Sequence, residues 1–191
     1  MLNFKNEILI KDPHTKDGVI IPNVLEGEYT YLSCHNNFDD LGDRITSIRI
    51  YNTNYTNLEY DLFGQVYIDT GHCVIGDKEL LQQVSENSDF IQRCCELSLK
   101  RVEDPAYEEF NRKFERVNKD NVAEFSEYLK QHDYRMPYKY EYVQNCEEMN
   151  DKCLVSATGF GDGDYNIYVA KNSDGKIIGI EIIFIEDDVD N

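Results

Sequence analysis

The chain changes its hydrophobic period twice. Over its first third, apolar and polar residues alternate in short runs that stop at Pro, Gly or Asp, which is the spacing of strands with one covered face. Such runs occupy residues 7–10, 19–21, 29–34, 45–51 and 65–69, and in the fourth of them Thr46, Ile48 and Ile50 share a face. From Asp77 onward the apolar positions recur every three or four residues instead, as on the inner stripe of a helix. Leu80, Leu81 and Val84 follow Asp77, and Ile91, Cys95, Leu99 and Val102 follow Asn87-Ser88. Asp104-Pro105 reads as an N-cap with proline in the first helical position, leading into Phe110, Phe114 and Val117. Asn121-Val-Ala-Glu124 is close to a capping box and opens a stripe of Val122, Phe125 and Leu129. Met136-Pro137 closes this block, after which residues 138–143 and 152–157 read as strands.

The last third holds the clearest unit. Tyr165, Ile167 and Val169 alternate with Asn166, Tyr168 and Ala170, and residues 177–185 are apolar at nearly every position. Strict alternation places Ile178, Ile180, Ile182 and Phe184 on one side and Ile177, Ile183 and Ile185 on the other, a pattern expected of a strand covered on both faces. Asn172-Ser-Asp-Gly175 between the two runs supplies residues that tolerate positive φ, so the chain reverses there. Strands, then helices, then strands predict an α+β fold: a mainly antiparallel sheet with an inserted helical block, about residues 77–131, packed on it. One domain over residues 1–185 is expected, with the acidic tail 186–191 fraying for want of apolar anchors.

In three places the sequence resembles a bacterial family of unknown function, the DUF4241 proteins. These are the stretch from Thr158 through Gly-Phe-Gly-Asp-Gly-Asp-Tyr165 to Phe184, Gly27-Glu-Tyr29, and Tyr67-Ile-Asp-Thr-Gly-His-Cys-Val-Ile-Gly-Asp77. The resemblance brings no established activity with it. It implies that the Gly-Asp-Gly loop before a tyrosine-bearing strand is a shared motif, and that an Asp and a Gly recur near residues 69–71, while His72 has no counterpart in that pattern.

Charge narrows the partners. Among 191 residues, 19 Lys and Arg face 37 Asp and Glu, a formal charge of −18 that repels nucleic acid and anionic membrane surfaces. Residues 1–76 carry 5 basic and 11 acidic side chains (−6), 77–135 carry 10 and 14 (−4), and 136–191 carry 4 and 12 (−8). That excess either keeps the protein soluble or forms a surface for a basic partner protein. Met1-Leu-Asn-Phe-Lys-Asn-Glu7 has neither a basic leader nor a useful apolar run, and no apolar stretch approaches the length of a membrane span, so a cytoplasmic location is expected. The six cysteines, at 34, 73, 94, 95, 146 and 153, lack Cys-x-x-Cys spacing and are expected to be buried or half-buried thiols.

Two clusters could carry chemistry. Asp162, Asp164 and Asn166 have the one-three-five spacing of oxygen ligands in a calcium loop, but Ile167 stands where the sixth-position glycine belongs and Ser173 where the twelfth-position glutamate belongs. The competing reading is a glycine-enabled turn entering a strand. Asp69-Thr-Gly-His72 offers a carboxylate near an imidazole, the makings of a general base, against the plainer reading that Asp69 ends a strand, Gly71 turns and Asp77 caps a helix. His14, His35 and His132 show no ligand-like spacing. There is no nucleophile elbow, phosphate loop or dinucleotide fingerprint, so no cofactor is expected.

Tyrosine suggests a different role. Tyr138, Tyr140 and Tyr142 would line one face of a strand, with Tyr134 near by and Tyr51, Tyr55 and Tyr60 elsewhere, and tyrosine is enriched where proteins recognise one another. Two functions follow. One is a protein-binding or immunity-like module presenting an acidic, tyrosine-rich surface, with Tyr138, Tyr140, Tyr142, Asp162 and Asp164 as binding residues. The other is a small hydrolase or metal-dependent enzyme built on Asp69, His72, Asp162 and Asp164, which requires those four side chains to converge.

Overall fold

The computed structural model describes residues 1–38, 42–97, 99–101, 110, 112–114, 117, 119–131, 140–142 and 144–186. The chain divides into two compact units, residues 1–98 with 144–191, and residues 99–143. In chain order the first unit contains β1 (Leu2–Phe4), β2 (Ile8–Lys11), β3 (Val19–Ile21), β4 (Gly27–Phe38), β5 (Gly42–Asn52), β6 (Asp61–Ile68) and β7 (His72–Asp77). Helices α1 (Lys78–Val84) and α2 (Ser88–Glu96) follow. The second unit supplies β8 (Leu99–Arg101), α3 (Val122–Gln131) and β9 (Tyr140–Tyr142). The first unit then resumes with β10 (Cys146–Asn150), β11 (Cys153–Ala157), β12 (Gly163–Lys171) and β13 (Ile177–Ile183). The architecture is α+β, mostly antiparallel sheet with a few helices.

The first unit stacks two sheets. One has six strands in the order β1-β4-β5-β13-β12-β6, the other five in the order β10-β11-β7-β2-β3. Alternation aims one face of each at the other, so Ile48 and Ile50 of β5, Ile167 and Val169 of β12, and Ile10 and Ile75 of the smaller sheet bury together in one core. The smaller sheet is covered on its other side too: Leu9, Val74, Cys153 and Val155 meet Leu81 of α1 and Cys94 of α2. Burial on both faces explains why β7 is illegible by alternation. All six of its residues are buried, and a strand without a polar side gives no two-residue period.

Several boundaries differ from the sequence expectations for identifiable reasons. In the hairpin, β12 and β13 pair as foreseen, and Asn172 closes the turn by accepting from the Asp174 and Lys176 amides at 3.0 and 2.9 Å. The register slips beside Ala170, however, so that Ala170 faces Gly179 and Lys171 faces Ile177. That bulge leaves Ile178 unpaired and turns Ile177, rather than Ile178, into the sheet-to-sheet core with Ile180 and Ile182. Asp77 caps α1 as expected, its carboxylate accepting from the Leu80 amide at 3.3 Å.

The helical stripe through Ile91, Cys95, Leu99 and Val102 is corrected. The row turned to the sheet is the buried Cys94 of α2 with the half-buried Phe90 and, just past the helix end at Glu96, Leu97, which is out of phase with the expected stripe. Leu99–Arg101 is a strand that pairs antiparallel with β9, so the block foreseen over 77–131 is interrupted. Val102 and the Asp104-Pro105 cap lie outside the described residues. So do His132, Tyr134 and Tyr138, and all but residue 186 of the acidic tail. In the second unit, the rings of Phe110, Phe114, Phe125 and Tyr128 pack with centroids 5.1–6.1 Å apart. No helix among the described residues is long and apolar enough to cross a membrane.

Candidate functional site

Two acidic centres lie in the first unit, one inside and one on the surface. The inner centre is built on Asp12, the residue after β2, where Pro13 halts pairing. Its side chain is fully buried. One oxygen accepts from the Asp69 amide at 2.9 Å and from the amide and hydroxyl of Thr70, both at 2.8 Å; the other accepts from the His14 amide at 2.7 Å. Burial alone would push this carboxyl up, but the donors outweigh it and hold it below the usual carboxylate range. Asp12 thus staples the turn between β6 and β7.

That staple separates the predicted acid–base pair. His72 is 5% exposed with Nδ1 2.9 Å from the Thr70 carbonyl, and burial pushes its imidazole below the ordinary value, despite Asp12 pulling the other way. The Asp69 carboxylate points elsewhere and accepts from the Tyr67 hydroxyl at 3.3 Å. The carboxylate that bears on His72 is therefore Asp12, a residue that alternation and motif spacing gave no reason to single out. The segment after β2 brings His14 Nε2 to 3.6 Å from the Cys95 thiol. Burial, with Asp12 adding to it, raises that thiol, which disfavours the thiolate.

The outer centre occupies the face of the six-stranded sheet turned away from the core. Its outward side chains include Leu32 and Arg49, both exposed, the half-buried Tyr51, Tyr168 and Glu181, and the exposed Tyr67. At one end the segment after β5 folds over the sheet. Asn52 starts it, taking the Asn54 amide on its side chain at 3.1 Å and the Tyr55 amide on its carbonyl at 3.1 Å. A groove of about 380 Å³ opens there between Leu32, Arg49, Tyr51, Tyr55, Leu58 and Tyr60. Glycine at 179 permits this packing, since a Cβ would stand 2.8 Å from the Tyr60 hydroxyl. Arg49 pairs with Glu181 at 2.6 Å and lies 5.3 Å from the centroid of the Tyr60 ring. The Tyr60 hydroxyl is enclosed with no hydrogen-bond partner among the described residues, and burial raises its pKa to about 12.

At the other end, Tyr67 stands 57% exposed in register with Asp164. The negative charge of Asp69 foremost, then those of Asp162 and Asp164, disfavours ionisation of its phenol. Three of the four residues named for an enzyme therefore gather around a tyrosine, while His72 sits with Asp12 beneath the turn. Asn166, the third oxygen of the supposed calcium loop, accepts from Gln65 at 2.9 Å and donates to Glu186 at 2.9 Å. Among the described residues, no group of three or more His, Cys, Asp or Glu is placed to hold a metal ion.

The glycine loop has a structural use. Gly159 adopts φ +63°, and a Cβ there would fall 2.8 Å from Ile185 and 2.9 Å from the Ile45 carbonyl. The Thr158 hydroxyl donates to the Gly161 carbonyl, and the Tyr165 hydroxyl lies 2.7 Å from that same oxygen. Of the tyrosines proposed for binding, Tyr138 lies outside the described residues. Tyr140 and Tyr142 belong to β9 in the second unit, opposite Arg101 and Leu99. Tyr51, Tyr55 and Tyr60 instead line the groove of the outer sheet face. Nothing but their number marked them in sequence, because which tyrosines share a surface depends on strand order.

No curated protein and no solved structure matches the chain. The sequence pattern of one family, described as "Protein of unknown function (DUF4241)", matches residues 5–182, which take in every strand from β2 to β12 and most of β13. The chain belongs to the DUF4241 family.

Proposed function

We propose that the protein is a cytoplasmic binding module whose outer sheet face takes a basic segment of another protein. The observation that carries this is Tyr67: an exposed ring among three carboxylates, none of which pairs with a lysine or arginine among the described residues. Such a group attracts a cation and gives it a π-face to lie against. The surrounding charge adds to the attraction. The stretches 1–98 and 144–191 hold 27 acidic and 10 basic side chains (−17), whereas 99–143 holds 10 and 9 (−1). The groove beside Tyr51, Tyr55 and Tyr60 supplies apolar contact on the same face. All six cysteines are free thiols, as suits a reducing compartment.

The test is an isotope-labelled NMR titration with a short alternating Arg-Gly peptide. Saturable shifts confined to β6, β12 and the segment after β5 are expected. Affinity should fall about tenfold, the equivalent of about 1.4 kcal/mol, in the Asp69→Asn, Asp162→Asn, Asp164→Asn triple variant. Shifts scattered over the whole acidic surface, or an unchanged affinity in the variant, would overturn the reading.

A further inference from the structure

The β6 strand ends its sheet, and its second hydrogen-bonding side has no partner strand among the described residues. Natural edges are guarded by lysine, proline, inward charge or a bulge; residues 62–68, Leu-Phe-Gly-Gln-Val-Tyr-Ile, contain no charge and no proline, and their one bulge lies at Phe63, leaving 64–68 regular. The register skips Phe63, Gly64 pairing with Ile167 and Leu62 with Tyr168. This bulge turns Leu62 and Phe63 onto the same outer face as Gln65 and Tyr67. Leu62 is 62% exposed, Phe63 38% and Tyr67 57%; Ile20, on the neighbouring edge strand β3, is 40% exposed. Three of the nine large hydrophobic side chains exposed among the described residues, Leu62, Phe63 and Tyr67, thus lie along one rim of the sandwich on a single face, while Ile20 shares the helix-covered face of the other sheet with Leu9.

We infer that this rim is the interface of a twofold homodimer, in which β6 of one copy pairs antiparallel with β6 of another about an axis at Gln65. The spacing is self-complementary. With Gln65 opposite its own copy, Phe63 falls opposite Tyr67 of the second chain and Tyr67 opposite its Phe63, so two aromatic pairs flank an amide pair on one face. Gly64 then meets Val66 on the inner face, where a Cβ at Gly64 would meet nothing within 4 Å. A second copy fits the strand edge because residues 62–68 carry no charge of their own and offer Phe63 and Tyr67 in self-complementary spacing, whereas the carboxylates that would draw a basic segment flank the outer face of Tyr67. The seam also joins two outer faces into one continuous sheet, leaving the acidic surface of each copy accessible. At its ends Asp61 comes toward Asp69 of the other chain, so dimerisation strengthens as salt screens that repulsion.

Sedimentation equilibrium and directed cross-linking test this on the full chain. A salt-strengthened dimer is expected, with association weakened about tenfold or more by Phe63→Lys, an exposed position at which circular dichroism verifies folding. In a Cys34→Ser background, Gln65→Cys should form an intermolecular disulfide on mild oxidation, and Leu32→Cys, far across the sheet, should not. A chain that stays monomeric at high concentration and salt overturns the proposal. So does a dimer that Phe63→Lys leaves intact, or one in which Leu32→Cys cross-links as readily as Gln65→Cys.

Discussion

Asp12 and the pair Asp162 and Asp164 are the same chemical group in opposite circumstances. Asp12 is fully buried and accepts four hydrogen bonds, three that join the end of β2 to the β6–β7 turn and one from the His14 amide near by. Asp162 and Asp164 are exposed beside Tyr67, and among the described residues neither is held in a salt bridge. A buried carboxylate is tolerated only when donors surround it, so its charge is spent on structure, whereas an exposed one keeps its charge for whatever approaches. The sequence motif that most resembles a ligand loop therefore holds the available charges, and an Asp-Pro dipeptide that reads only as a turn holds the committed one.

Mutation should separate the two sharply. Asp12→Ala leaves the Asp69, Thr70 and His14 amides without their acceptor in a buried setting, a loss of about 3 kcal/mol; chemical denaturation should show it as a lower midpoint. If Asp12→Ala instead melts with the native chain, the staple is not holding the turn.

Acid should weaken the inner centre in two stages. Because the His72 pKa is lowered from 6.5, the unfolded chain takes up a proton first, and stability falls as pH drops below 6.5 toward the depressed native value. Asp12 is lowered from 3.8, so its contribution is full above that value and is lost as pH falls through its own depressed one. Urea midpoints measured against pH should show both stages in the native chain, and His72→Gln should abolish the upper one alone. A profile unaltered by His72→Gln would mean the imidazole is as solvated in the folded protein as in the unfolded.

The smallest effect belongs to the surface. Asp162→Asn with Asp164→Asn should change stability by no more than about 0.5 kcal/mol, with any change a gain, since like charges around Tyr67 are relieved. Thermal melts would check this. A marked loss would assign these aspartates a structural task and remove the contrast with Asp12.

Local grammar carried much of the fold. The hairpin turn at Asn172, the cap at Asp77 and the strands near residues 19, 45 and 153 each depend on neighbours a few positions away, so they are legible one segment at a time. The candidate site was legible only as a list of suspects. Asp162 and Asp164 stood out, but Tyr51, Tyr55 and Tyr60 were marked only by their number, and Arg49 and Glu181, 132 positions apart, become partners only because β5 and β13 lie side by side. Asp12 likewise shows its role only when a turn 57 residues away is brought over it.

Sequence by itself determined the periods, the turns and the excess of acid, because side-chain spacing and backbone preference act within a few residues. Tertiary structure decided which acids are buried, which imidazole they face and which tyrosines share a surface. Those outcomes rest on strand order and on one-residue bulges, such as the slips beside Ala170 and at Phe63, each of which reverses the face a side chain presents. A two-residue period cannot announce where it will be broken, because the break is set by pairing with a distant strand.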